Sequence, residues 1–318
     1  MAAVYNGEVV GFQMLDNMLG SLGFVLINDS PEVKIYKRDF MRHGGTYPSV
    51  SVIVATIERE SLTKCLESIC DYDYNNYEVI VVLDRKRNVA YARNRAMEFS
   101  RGYLIHFIDD DAVASRENLS EMVNTWIRLS SFDPKIGGLQ GNIEGFRAPW
   151  NTNKMITKIS LTPAGIRPEL FKGEGLTDFV IACNALFSAG VLKMIGGFDE
   201  QIDYQHDDID LSFLIRHAGC SLYATEKGEV VHLEEISNLD ESFHRLFHAE
   251  KNSVILYFKW AKISTFALYV LRRVVFLLVR VLTDILKLDI RGMRRDVTML
   301  FYVFVGLRKL PRTRRMRR

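Results

Sequence analysis

Asp109, Asp110 and Asp111 follow directly on the apolar run Leu104, Ile105, His106, Phe107, Ile108. Such a run reads as a buried strand, and strand ends in an open α/β sheet are where groups meet a ligand. Three carboxylates crowded there repel one another unless a cation or a hydrogen-bonding ligand sits among them. Oxygen donors alone favour a hard divalent ion, Mg²⁺ or Mn²⁺, whose usual companion in a site is a substrate diphosphate. The bland alternative is a solvated acidic turn. A second acidic group, Asp207, Asp208 and Asp210, opens a helical pattern with Leu211, Leu214, Ile215 and Ala218 on one face and Gly219 as its stop. Aspartates at a helix start serve either as caps or as chemical groups.

The elements that must position these residues are legible as an alternation. Val50 to Ala55 reads as a strand; Leu62, Cys65, Leu66 and Ile69 fall at helical spacing; Glu78 to Leu83 is a second strand; and Val89, Ala92, Ala96 and Phe99 mark a second helix before the strand ending at Asp109. This βαβαβ order is the nucleotide-binding half of a doubly wound sheet, and right-handed crossovers bring Thr56, Asp84 and Asp109 to one edge. Before it, residues 1 to 47 form a prefix with an amphipathic stretch around Val10 to Leu22. Two β-rich runs, Phe24 to Ile27 and Val33 to Tyr36, flank a turn cluster and predict a hairpin. After it, Gly137 to Gly145 and Gly165 to Gly175, with Pro149, Pro163 and Pro168, indicate a loop-rich stretch able to order over a substrate.

The composition, 48% hydrophobic and 25% charged over 318 residues, is that of a globular protein with an ample core. Cys65, Cys70, Cys183 and Cys220 show neither metal-ligand spacing nor a disulfide framework and read as reduced core residues of a cytosolic protein. Met1 to Gly20 has no basic region followed by an apolar stretch, so the catalytic part is expected to face the cytoplasm. Charge is unevenly spread. Sixteen of the 41 Lys and Arg residues, but only three of the 39 acids, lie from Lys259 onward, leaving an acidic body with a basic tail.

In that tail Lys262, Arg273, Arg280 and Lys287 share one helical face, leaving a broad apolar face with Phe266, Leu271, Leu278 and Val281, and Phe276 at its margin. No run of 18 uncharged apolar residues exists, and the second run, Val297 to Leu307, is too short to span a bilayer. Arg308, Lys309, Arg312, Arg314, Arg315, Arg317 and Arg318 follow it. The pattern predicts helices lying in the interface of an anionic membrane, peripheral or monotopic, with a polybasic anchor. Packing on the catalytic body or on a second subunit is the alternative.

In combination these segments resemble the inverting family 2 glycosyltransferases of GT-A fold, over about residues 48–261. The resemblance is carried by Val50-Ser-Val-Ile-Val-Ala-Thr56-Ile-Glu58-Arg59, Val81-Val-Leu-Asp84, Ala92-Arg93-Asn94-Arg95-Ala96 and Phe107-Ile-Asp109-Asp110-Asp111. It continues through Gly196-Gly-Phe-Asp199-Glu200, Asp207-Asp208-Ile-Asp210-Leu211 with Arg216, Val231-His232 and Glu250-Lys-Asn252. It implies an α/β GT-A fold with a Rossmann-like nucleotide-binding half, a catalytic domain over 48–258, and a C-terminal amphipathic helical region over 259–318.

The resemblance also implies roles. Asp109 and Asp111 are the D-x-D pair, Asp109 nearer the ribose and Asp111 on a Mn²⁺ or Mg²⁺ ion that holds the donor diphosphate; Asp110 is grouped with the donor-binding residues. Thr56 and Glu58 contact the nucleoside, Asp84 accepts from the base, and Arg93 and Arg95 are phosphate contacts. Asp208 is the general base, with Asp207 as its alternate, and His232 joins the metal or merely closes a strand. The donor is a nucleotide sugar, UDP favoured, and the acceptor a hydroxyl on a glycan or a lipid-linked carrier. One departure is that Asp84 is followed at once by Arg85, Lys86, Arg87 and Asn88, where the family often has a polar, glycine-rich link.

Two other classes compete. A nucleotidyltransferase would want a glycine-rich loop after the first strand, where this chain has Thr56, Ile57, Glu58 and Arg59. A non-catalytic membrane scaffold, or a nucleic-acid binder using the arginine tail, leaves both acidic groups without a role, and an acidic body repels phosphate backbones.

Overall fold

A computed structural model describes residues 4–5, 8–41, 47–145, 156–233 and 239–310, with the backbone alone for 4–14 and 239–244. The anchor residues Arg312 to Arg318 and the loop position Pro149 lie outside the described residues. A short pair, β1 (Val4–Tyr5) and β2 (Glu8–Val9), leads into α1 (Val10–Ser21) and the hairpin β3 (Val25–Asp29) and β4 (Val33–Asp39). Then come β5 (Val50–Thr56), α2 (Leu62–Cys70), β6 (Tyr77–Asp84), α3 (Val89–Met97) and β7 (Leu104–Asp109), the alternation the apolar spacing predicts. The middle of the chain holds β8 (Ala112–Ala114), α4 (Asn118–Ser130), β9 (Ile136–Glu144), the hairpin β10 (Ile156–Thr162) and β11 (Gly165–Phe171), and β12 (Gly175–Leu176). It is followed by β13 (Asn184–Ser188), α5 (Ala189–Ile195), α6 (Asp207–His217), β14 (Ser221–His232), α7 (Leu239–Trp260), α8 (Ile263–Leu286) and α9 (Ile290–Arg308).

The main sheet runs β12-β14-β9-β13-β7-β5-β6-β4-β3, with β8 also on β14. Its centre, β7-β5-β6, is parallel, while β13 joins β7 and β4 joins β6 antiparallel. Because side chains alternate across a strand, Val50, Val52 and Val54 of β5 pack on one face with Leu62, Cys65, Leu66 and Ile69 of α2 and Met122 and Trp126 of α4. On the other face Ile53 meets Phe107, Phe187 and the small residues Ala90, Ala92 and Ala96 of α3. The architecture is the α/β GT-A arrangement, a Rossmann-like half extended by the mixed strands β9, β13 and β14.

The prefix does not stand apart from this sheet. Its β4 pairs with β6 from Val33 opposite Asp84 to Asp39 opposite Glu78. At the other end, α8 and α9 form a helical pair packed on α7. Two residues of the basic face of α8 turn inward, Arg273 binding Glu250 of α7, Nε to Oε2 at 2.7 Å, and Arg280 reaching the buried Asp296 of α9 at 2.7 Å, while Lys287 of the same face is exposed. Tyr257 and Tyr269 stack with ring centroids 3.9 Å apart. The apolar face therefore points outward, with Leu271, Val275, Leu278, Val279 and Leu282 of α8 and Val297, Phe301 and Phe304 of α9 exposed. No helix among the described residues is long and apolar enough to cross a membrane.

Candidate functional site

Strand pairing assembles the acidic edge. Parallel register sets Ala55 beside Asp109 and Thr56 beside Leu83, so the ends of β5, β6 and β7 open together onto a cavity of about 630 Å³. Thr56, Asp84, Arg93, Asp109, Asp110, Asp111, Asp207, Asp208 and His232 all line it. Glu58 does not. Its backbone takes a positive φ of 65° just outside the wall, its N–H donates to Thr56 Oγ1 at 2.9 Å, and its buried Oε1 has no hydrogen-bond partner among the described residues. Arg95 turns away as well, pairing with Glu98 at 2.8 Å.

The three adjacent aspartates face different ways. Asp110 points back into the sheet, accepting from Thr56 Oγ1 at 2.7 Å and pairing with Arg59 Nε at 3.2 Å. Burial pushes its carboxyl up to about 7. Asp111 lies 3.3 Å from His232 Nε2, because β8 and β14 pair with Ala112 opposite His232 and the Leu233 N–H donates to the Asp111 carbonyl at 2.8 Å. Burial raises the Asp111 carboxyl, against the opposing pull of His232. The Asp109 Oδ2 lies 3.9 Å from the same His232 nitrogen. Asp109 and Asp111 thus each approach His232, and their oxygen and imidazole donors suit a divalent cation.

Arg93 joins the two acidic groups. Its guanidinium, buried over the rings of Phe107 and Phe198, binds Asp109 Oδ1 at 2.9 Å and Asp207 Oδ2 at 2.6 Å. That contact occupies Asp207, leaving Asp208 as the carboxylate of the pair with no cation bound to it among the described residues. Burial, then the neighbouring charge of Asp207, push the Asp208 carboxyl up to about 8. The third member, Asp210, is structural: it is buried against Lys259 and Trp260, each at 2.6 Å. Asp84 accepts from the Lys86 backbone N–H at 3.1 Å, and burial raises it to about 6.

The loop before Asp207 is held from outside the sheet. Gln205 and His206 both have φ of 68°, a left-handed conformation that costs energy for side-chain-bearing residues. Asn252 of α7 donates to the carbonyls of Tyr204 and Gln205, while His248 and Lys251 bind Asp203. Burial lowers the His206 imidazole to about 4, and its Nε2 meets Ser253 Oγ at 3.0 Å.

Reading the sequence alone missed Arg59, Cys183, Arg245 and an apolar wall of Ile166, Pro168, Phe179 and Ile181. Arg59 carried a signal, a basic residue three places beyond the Thr56 strand end. The wall carried only the proline and glycine richness that marked a loop over the substrate. Phe179 to Cys183 is apolar yet forms no strand: the Val180 N–H donates to Ser212 Oγ at 3.1 Å and the Ile181 N–H to Gln140 Oε1 at 2.8 Å, which bends the run into the cavity.

Part of the chain is similar to known proteins. The family model Glycosyl transferase family 2 matches residues 83–196. No protein of curated function matches the sequence significantly. Among solved structures, GalNAc-T7 with UDP, GalNAc and Mn²⁺ superposes with TM-score 0.49 at 11% identity, covering 70% of this chain and 51% of that one, so the chain spans about half its length. The mannosyltransferase PcManGT from Pyrobaculum calidifontis, in complex with GDP-Man and Mn²⁺, gives 0.48 at 15% identity and 94% coverage of each chain. S. aureus TarS 1–349 gives 0.44 at 12% identity, covering 82% of this chain and 91% of that one. The family match runs from the end of β6 through the acidic edge of β7 to the end of α5, so over that stretch, about a third of the chain, the sequence is similar to glycosyltransferase family 2.

Proposed function

We propose that the protein is a metal-dependent inverting glycosyltransferase that moves a sugar from a nucleotide diphosphate donor to an acceptor hydroxyl. The observation that carries this reading is that Asp109 and Asp111 both approach His232 at one edge of a cavity that Asp208 also lines, with Arg93 joining Asp109 to Asp207, the neighbour of Asp208. Asp109, Asp111 and His232 would hold the Mn²⁺ or Mg²⁺ ion, which when bound offsets the charge of the departing diphosphate. Asp208 takes the acceptor proton, and its raised carboxyl suits a base acting near neutral to mildly alkaline pH. Asp84 and Thr56 flank the donor side, with UDP the favoured carrier. Asp110 serves by fixing Thr56 and Arg59.

The apolar wall of Ile166, Pro168, Phe179 and Ile181 favours an acceptor with an apolar portion, such as a lipid-linked carrier. We extend the reading to an anionic membrane surface on the cytoplasmic side as the place of work. Supporting it are the outward apolar faces of α8 and α9 and the exposed cations Arg272, Lys287, Arg291, Arg294, Arg308 and Lys309 around them.

A screen of UDP- and GDP-sugars for slow hydrolysis tests the core of the proposal. Turnover is expected with Mn²⁺ or Mg²⁺, to vanish with chelator, and to suffer more from Asp111→Asn than from Asp110→Asn. Full activity in chelator would remove the metal from the reading.

A further inference from the structure

Cys183 occupies a position that the donor chemistry of the acidic edge does not require. Antiparallel pairing of β13 with β7 sets Asn184 opposite Ile108, so the preceding residue, Cys183, falls beside Asp109. Its side chain is almost wholly buried, yet it lines the cavity. One donor atom each from Cys183 Sγ, Asp109 and His232 lies within 4.8 Å of the others, close enough to share an ion. Cys65, the other fully buried thiol near this edge, does not compete: it sits beneath the strand, 3.4 Å from the Asp109 carbonyl, and does not line the cavity.

We infer that Cys183 is a ligand of the divalent cation held by Asp109 and His232, giving the site a mixed oxygen, nitrogen and sulfur donor set. The inference rests on the metal-dependent reading above and goes beyond it. A thiolate changes which ion the site prefers. Sulfur is a soft donor with poor affinity for Mg²⁺ and good affinity for Co²⁺, Zn²⁺ and Cd²⁺, whereas carboxylate and imidazole alone leave Mg²⁺ and Mn²⁺ competitive. On ligation the thiol loses its proton to solvent and the sulfur lone pair forms the metal bond. No oxidation state changes. The rigidity of the position favours this role, because Asn184, the next residue, is fixed by His106 at 2.9 Å, the Asn142 carbonyl at 3.0 Å and the Gly228 carbonyl at 2.8 Å.

Cobalt substitution tests the inference without relying on turnover. The full chain, with Cys70→Ser and Cys220→Ser to remove the two less buried thiols, is titrated with Co²⁺ in the presence of UDP or GDP. A thiolate-to-cobalt charge-transfer band in the near ultraviolet is expected alongside the visible ligand-field bands. Cys183→Ser and Cys183→Ala are each expected to abolish the charge-transfer band and keep the ligand-field bands. Their Cd²⁺ affinity is expected to fall by at least about tenfold, the scale on which even outer partners of a metal site act, with little change for Mg²⁺. Ligand-field bands without the charge-transfer band in the parent protein would overturn the assignment of Cys183 and leave the metal site standing. Absence of Co²⁺, Mn²⁺ and Mg²⁺ binding with either nucleotide would overturn both. Should the Cys183 variants fail to fold, the parent spectrum and its Cd²⁺-to-Mg²⁺ preference still decide the matter.

Discussion

Replacing Arg93 by Met tests whether one buried cation holds the two acidic groups together. Methionine keeps much of the volume over Phe107 and Phe198 but leaves Asp109 and Asp207 facing each other without a counter-charge. The two arms differ in burial, with side-chain exposures of 7% for Asp207 and 32% for Asp109. Removing the partner of a buried charge costs about 3 to 5 kcal/mol, whereas a pair open to solvent contributes about 0 to 1 kcal/mol. The Asp207 arm therefore dominates, and Arg93→Met is expected to lower stability by about 3 to 5 kcal/mol and the melting temperature by roughly 10 °C. Urea unfolding of the metal-free protein, followed by circular dichroism, measures this without screening the charges as guanidinium would. Adding Asp207→Asn to Arg93→Met should recover most of the loss, and adding Asp109→Asn little of it. A cost below about 1 kcal/mol for Arg93→Met would refute the reasoning, as would a larger recovery from Asp109→Asn than from Asp207→Asn.

Asp208→Asn is expected to reduce transfer by about 10²- to 10⁴-fold while nucleotide affinity stays near that of the parent, and an equal loss in Asp207→Asn alone would move the base. The pH profile of the parent follows from the raised Asp208 carboxyl. The base is protonated below about 8, so kcat/KM should rise with pH, steepest below that value, and level off above it. A flat profile between pH 6 and 9 would refute it. Leu271→Glu with Leu282→Glu, placing charge on the exposed face of α8, should weaken co-sedimentation with anionic vesicles and leave donor hydrolysis by the body unchanged; unaltered vesicle binding would argue against the membrane face.

The parts legible in the sequence are those fixed by local periodicity. The apolar runs ending at Thr56, Asp84 and Asp109 named three neighbouring strand ends, because buried parallel strands read as continuous apolar stretches. What periodicity does not carry is contact across long separations. Arg93 and Asp207 are 114 residues apart, and nothing in either segment says that they meet. Adjacent aspartates are equally ambiguous, since only the β8–β14 pairing fixes Asp111 against His232 while Asp110 turns to Thr56. In the tail, helical arithmetic grouped Lys262, Arg273, Arg280 and Lys287, of which Arg273 and Arg280 pair inward and Lys287 is exposed. The acidic partners of the two arginines, Glu250 on α7 and Asp296 on α9, decide which way they turn.

The pairing of β4 with β6 gives the prefix a role in solubility. All eight residues of β6 are buried, from Tyr77 to Asp84. Without β3 and β4 that strand would be the rim of the sheet, offering its free N–H and C=O groups and an apolar surface to any extended segment that drifted by. The hairpin moves the rim outward to β3, a five-residue strand whose pairing with β4 shifts register between Leu26 and Asn28. Irregularity of that kind makes a poor template for strand addition. Chains clipped before Tyr47 would thus be prone to stack rim to rim and leave solution while their donor site stayed chemically complete.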